Sequence, residues 1–95
     1  MPKVIPGGYK LAPMEPCKLP EDVASGFTEV VTPLVGADYV PVLYVGSQVV
    51  AGVNHMIICK QKITAHDTPE HLAEVVLNSA PTTGKWSLVS IEQIV

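Results

Sequence analysis

Residues 47–54 read Ser-Gln-Val-Val-Ala-Gly-Val-Asn (SQVVAGVN). They lie between two runs rich in β-formers, Tyr39–Gly46 and Val53–Ile63, which is the pattern of a hairpin. Hairpin tips are normally built from Asn, Asp, Gly or Pro, because those residues meet the backbone angles of the turn and stay solvated. Here the tip is Val49-Val50-Ala51, with Gly52 behind it. An apolar tip on a small protein points to contact with something other than water.

Working outward, Val53, His55, Ile57, Cys59 and Gln61 alternate with Asn54, Met56, Ile58 and Lys60, the period of a strand. Residues 64–70 (TAHDTPE) carry turn chemistry. His71–Asn78 and Trp86–Val95 supply two further strands, separated by the turn-rich 79–85 (SAPTTGK). Upstream, Val23, Phe27, Val30, Val31 and Leu34 fall at i, i+4, i+7, i+8 and i+11, which makes one helical stripe. The spacing predicts a helix over residues 20–34. Pro20 sits in its first turn, Glu21 and Asp22 face the positive end of its dipole, Pro33 ends it and Gly36 is its C′ residue. Gly26 weakens this helix but lets a strand come close. Pro41 marks its strand as an edge or a bulge.

Five of the nine prolines, Pro2, Pro6, Pro13, Pro16 and Pro20, fall in the first twenty residues. Residues 1–18 therefore read as an extended leader. The expected architecture is α+β in a single domain, residues 1–95. The helix packs on one face of a four- to five-stranded antiparallel sheet over residues 37–95, with consecutive strands as neighbours. In such a meander alternate hairpins open at the same end. The loops at 47–52 and 78–85, separated by one reverse connection at 64–70, should then lie side by side, with the leader within reach. Together they form one exposed apolar edge, and monomers rarely carry such an edge unless it binds something.

The totals agree with a folded domain: 95 residues, 47% hydrophobic, mean hydropathy +0.32, enough for one modest core. Six Lys and Arg against nine Asp and Glu leave a net charge of −3, so neither a nucleic acid nor an anionic membrane is an expected partner. The start of the chain, MPKVIPGGYK, has no apolar segment of a signal peptide. Cys17 and Cys59 lack metal spacing and read as free thiols in a reducing, cytoplasmic setting. No cofactor is expected. His66 and His71, with Asp67 between them and His55 elsewhere, form only a loose metal pattern in a turn. Cys59 lies in a strand without an evident base, so it does not read as a nucleophile. A small hydrolase or metal protein built on His66, Asp67 and His71 is accordingly the third-ranked function.

The leading function comes from a resemblance. The run Gln48-Val49-Val50-Ala51-Gly52 looks like the Gln-x-Val-x-Gly hairpin signature of cystatins, inhibitors of papain-like cysteine proteases. Pro6-Gly7-Gly8 resembles the N-terminal glycine trunk of the stefin branch, which also lacks a signal peptide and disulfides. HLAEVVLNSAP, His71–Pro81, is similar to the stefin segment leading into the second hairpin, where Ser-x-Pro marks the loop. The three elements occur in family order and span most of the chain. The family has no counterpart for the extra residue in 82–86 (TTGKW). Trp86 has no stefin equivalent, and the Pro-Trp pair of extracellular cystatins is not reproduced, because Pro81 and Trp86 are not adjacent.

The resemblance implies a cystatin-like fold and a reversible, tight-binding inhibitor of papain-like (cathepsin-type) proteases that is not itself an enzyme. Val4, Ile5, Pro6 and Gly7 would be the trunk, with Gly8 as its hinge. Gln48, Val49, Val50, Ala51 and Gly52 would form the central wedge over the catalytic cleft. Asn78, Ser79, Ala80 and Pro81 would form the second wedge, and Trp86 either joins the contact or packs under the sheet. The alternative is a non-inhibitory cystatin-fold module that binds another protein or a small ligand. The active form would be a monomer. A strained apolar turn between long strands can also exchange strands with a second copy, giving a domain-swapped dimer without its wedge.

Overall fold

The structure is a computed structural model that describes residues 10–63 and 70–95. The trunk residues Val4, Ile5, Pro6, Gly7 and Gly8, and the loop residues His66 and Asp67, lie outside the described residues.

Pro20 opens the one described helix, α1 (Glu21–Val30), from the position before its first turn rather than inside it. Its carbonyl accepts the Ala24 N–H at 2.8 Å. Glu21 and Asp22 lie in the first turn, against the positive dipole end. The helix is shorter than the expected 20–34. Pro33 disfavours helical angles at the residue before it, and after Val30 the chain passes into a turn over residues 31–33. Val23, Phe27 and Val31 are buried as the stripe requires, but Leu34 lies past the helix end and is exposed. Gly36 has φ +100°, yet it turns the chain into the first strand instead of capping the helix.

Four strands follow: β1 (Ala37–Val50), β2 (Gly52–Ile63), β3 (His71–Ser79) and β4 (Trp86–Gln93). Each neighbouring pair is antiparallel and the order is β1-β2-β3-β4, an open meander. This is an α+β arrangement, one short helix on a four-stranded antiparallel sheet. The first strand is longer than the expected Tyr39–Gly46 because Ala37, Asp38 and Ser47–Val50 also pair with β2, and two bulges interrupt its register. Register slips occur between Pro41 and Leu43 and between Tyr44 and Gly46, leaving Val42 and Val45 as the extra residues. A third slip makes Val89 the extra residue of β4. Pro41 is thus on an edge strand and beside a bulge, where proline is tolerated. The Cys17 N–H donates to the Pro41 carbonyl at 2.9 Å, pinning the end of the leader there.

The register sorts β2 and β3 into two faces. His55, Ile57 and Cys59 face α1 beside Leu77, Val75 and Ala73, their cross-strand partners, and all six are buried. Leu19, Val23, Phe27 and Val31 close this single core from the helix side. No helix among the described residues is long and apolar enough to cross a membrane.

Burial also decides the chemistry of Cys59. Removal from water pushes its thiol up from 9.0 to about 12, and the neighbouring Cys17 adds to the shift. The fold therefore favours the neutral thiol. That contribution is complete below pH 9, the unfolded value, and is lost as pH rises from 9 toward 12. Over that window the wild type should lose stability relative to Cys59→Ala by on the order of 1 kcal/mol per pH unit. Urea melts of both proteins across the window check this. Parallel pH profiles would remove Cys59 as the cause.

Candidate functional site

The strands of the first hairpin pair right up to the tip. Val49 pairs with Val53 and Val50 with Gly52, so only Ala51 is unpaired. The expected loop over 47–52 is in fact a strand end with a minimal reversal. Gly52 has φ +91°, a conformation that side-chain-bearing residues rarely adopt. Gln48, Val49, Val50 and Ala51 are all exposed, and Val49 retains 85% of its accessible surface.

The second tip is held by its own backbone. The Ala80 N–H donates to the Lys85 carbonyl at 2.8 Å and the Gly84 N–H to the Ala80 carbonyl at 3.0 Å. The Lys85 N–H donates to Thr83 Oγ1 at 3.2 Å. Pro81, Thr82, Thr83 and Gly84 are exposed.

The two tips touch, as the meander argument requires. Gly52 packs so tightly on β3 that an added Cβ would strike the Ser79 carbonyl oxygen and crowd Pro81. Asn78 Nδ2 donates to Asn54 Oδ1 at 2.9 Å and to the Ala51 carbonyl at 3.4 Å, tying the second hairpin to the tip of the first. Gln48–Gly52 and Asn78–Pro81 therefore form one continuous edge. No charged residue occurs in 47–52 or 78–84; Lys85 stands at the base of the second tip.

Trp86 pairs with Ser79 at the start of β4. Its half-buried ring rests on Gly26 of α1, the close approach that a helical glycine permits. Its other neighbour is His55, with ring centroids 5.3 Å apart. His55 is itself buried and bonded through Nδ1 to the Tyr44 hydroxyl at 2.8 Å. The aromatic group Tyr44–His55–Trp86 is thus a buttress beneath the tips. It went unread in the sequence because its members are 11 and 31 residues apart, joined only by register and by the helix crossing. Asn54 was missed for the same reason: nothing local marks it as the partner of Asn78.

The two described histidines stand apart. His71 lies at the other end of β3, opposite Gln61, with Nδ1 3.1 Å from the Val95 carbonyl and 3.1 Å from Gln93 Nε2. His55 pairs with Leu77 near the tips. Among the described residues no three His, Cys, Asp or Glu side chains form a metal-binding group. Cys59 is a buried neutral thiol facing α1, without the exposure a nucleophile needs.

No protein-family model, no curated protein and no solved structure matches the chain.

Proposed function

We propose that the protein is a reversible inhibitor of papain-like, cathepsin-type cysteine proteases, cystatin-like in fold and stefin-like in its sequence elements. The observation that carries this reading is the continuous, uncharged edge made by two adjacent hairpin tips. A protease cleft is narrow, and this edge is slim: Ala51 and Gly52 add almost no width. Val49 and Val50 are stiff at χ1, so little rotamer freedom is lost on docking. Burying each of them is worth roughly 1.5–3 kcal/mol before the costs of association.

In this reading Gln48–Gly52 enter the centre of the cleft, Asn78–Pro81 cover its other side, and Trp86 supports or extends the second contact. Val4–Gly8 supply the trunk. Inhibition comes from occupying the cleft, with no bond to the catalytic thiol of the enzyme and no catalysis by the inhibitor. The active species is the monomer, because strand exchange through the 48–52 turn would dissolve the central wedge. The setting that fits two free thiols is cytoplasmic.

Titration against papain tests the proposal. The wild type should inhibit at or below micromolar concentration. Val49→Asp with Val50→Asp places two charges on the edge and should weaken inhibition at least about 100-fold. Both positions are exposed, so the melting temperature should hardly move. No inhibition by the wild type, or full inhibition by the double variant, overturns the reading.

A further inference from the structure

Four polar side chains form one rung across the sheet just below the hairpin tips. Gln48 pairs with Asn54, Asn54 with Asn78 and Asn78 with Ser87, so all four stand on the face away from α1. The rung crosses every strand and joins the first hairpin to the second. Its ends, Gln48 and Ser87, are exposed, whereas Asn54 and Asn78 at its centre are half-buried. Asn78 is the hub. Its Nδ2 donates to Asn54 Oδ1 at 2.9 Å and to the Ala51 carbonyl at 3.4 Å. A carbonyl can only accept, and this fixes the orientation of both amides. Asn78 turns its NH₂ toward the first tip, and Asn54 presents its oxygen. The NH₂ carries two hydrogens, one for each acceptor, so both are engaged within the protein.

We propose that Asn78 is a positioning residue of the inhibitory edge: through Asn54 and Ala51 it locks the two hairpin tips into one rigid wedge, and its side chain does not contact the protease. This inference rests on the inhibitory reading and refines it, since the side-chain contacts of the second tip then begin at Ser79. The physical reason is entropic. The pairing of β2 with β3 ends at Val53–Ser79, one residue past the rung, and beyond it the tips continue separately. Ala51 is the unpaired residue of the first tip, and the Asn78 amide reaches it directly. Tips that moved independently would each have to be ordered on docking, and that ordering lowers affinity. The tie orders the first tip on β3 before the protease arrives.

Two substitutions separate positioning from contact. Asn54 and Asn78 are cross-strand partners, so Asn54→Asp and Asn78→Asp place a carboxylate of the same shape on the same rung, and the bare effect of the charge on docking is similar. Asn54→Asp keeps an acceptor for Asn78 Nδ2 and strengthens that bond. Asn78→Asp replaces the donor by an acceptor that faces the Ala51 carbonyl, and the tie to the tip is lost. Both positions lie on the uncovered face, so both variants should keep the wild-type circular dichroism spectrum.

Papain titration and backbone nitrogen-15 relaxation of the full chain test the proposal. Asn78→Asp should weaken inhibition about tenfold, mainly through faster dissociation, while Asn54→Asp should stay within about threefold of the wild type. The amides of Ala51 and Gly52 should gain fast mobility in Asn78→Asp and not in Asn54→Asp. Asn54→Ala combined with Asn78→Ala should inhibit no more weakly than Asn78→Ala alone, because both changes remove one tie. Equal weakening by the two Asp variants, additive losses from the two Ala changes, or an Asn78→Asp variant with wild-type inhibition or wild-type relaxation overturns the proposal. A wild type that does not inhibit papain overturns the inhibitory reading and the docking role with it, and the relaxation data then decide by themselves whether Asn78 holds the tips.

Discussion

Gly52→Ala should lower the stability of the protein by on the order of 3 kcal/mol, or roughly 15 °C in melting temperature for a domain of this size. Two costs add. At φ +91° an alanine adopts a strained conformation. Its Cβ would also strike the Ser79 carbonyl oxygen and crowd the Pro81 ring, and neither is the free end of a flexible side chain. The contact relaxes only if β2 and β3 part at their tips, which breaks the Asn78 tie to Ala51. Inhibition of papain should therefore fall at least about 100-fold, for a reason distinct from the charges of the Val49→Asp, Val50→Asp variant. Gly84→Ala is the control. Its φ is +68°, but nothing lies within 4 Å of the added Cβ, so it should cost only about 1 kcal/mol of strain. Thermal melts and inhibition titrations of the two variants make the comparison. Equal melting temperatures would show that the contact with Ser79 is not what demands glycine at residue 52.

The second large effect is expected from Gly26→Val. Glycine is a poor helix former, and in an exposed helix its replacement would be stabilising. Here the added Cβ would overlap the Trp86 ring. Either α1 lifts from the sheet or the ring leaves its place beside His55. Overpacking of this kind costs about 1–3 kcal/mol, and the β-branch places the change at the upper end. The only Trp of the chain reports it directly, since its emission should move toward that of a solvated indole. Trp86→Leu added to Gly26→Val should recover part of the loss, a coupling that a double-mutant cycle measures. If the two changes prove additive, the close approach of α1 and β4 is not what fixes this position.

Much of the fold was readable locally. The alternation in Val53–Gln61 marked β2 and its inward face, since a half-buried strand repeats every two residues. The 3.6-residue stripe marked α1, and short connections fixed the neighbour order. One departure is local and one is long-range. The helix stripe continued to Leu34, but Pro33 stops the backbone before side-chain periodicity runs out. β1 was expected to end at Gly46 with 47–52 as a loop, whereas Ser47–Val50 pair with Gly52–His55 across the hairpin. Two bulges reset its register, and a bulge exists only relative to the partner strand.

The same division runs through the candidate site. Residue types alone determined that 47–52 is an apolar, uncharged hairpin end and that a second turn of similar character follows two strands later. These are properties of composition and spacing, written within a few residues of each other. Tertiary structure decided that the two tips share one edge and that Asn78 ties them. It decided that Tyr44, His55 and Trp86 support them from below. Each of these depends on which residue of one strand stands opposite which residue of the next. That choice is set by cross-strand packing, bulges and the helix lying on the sheet, and no local stretch of the chain contains it.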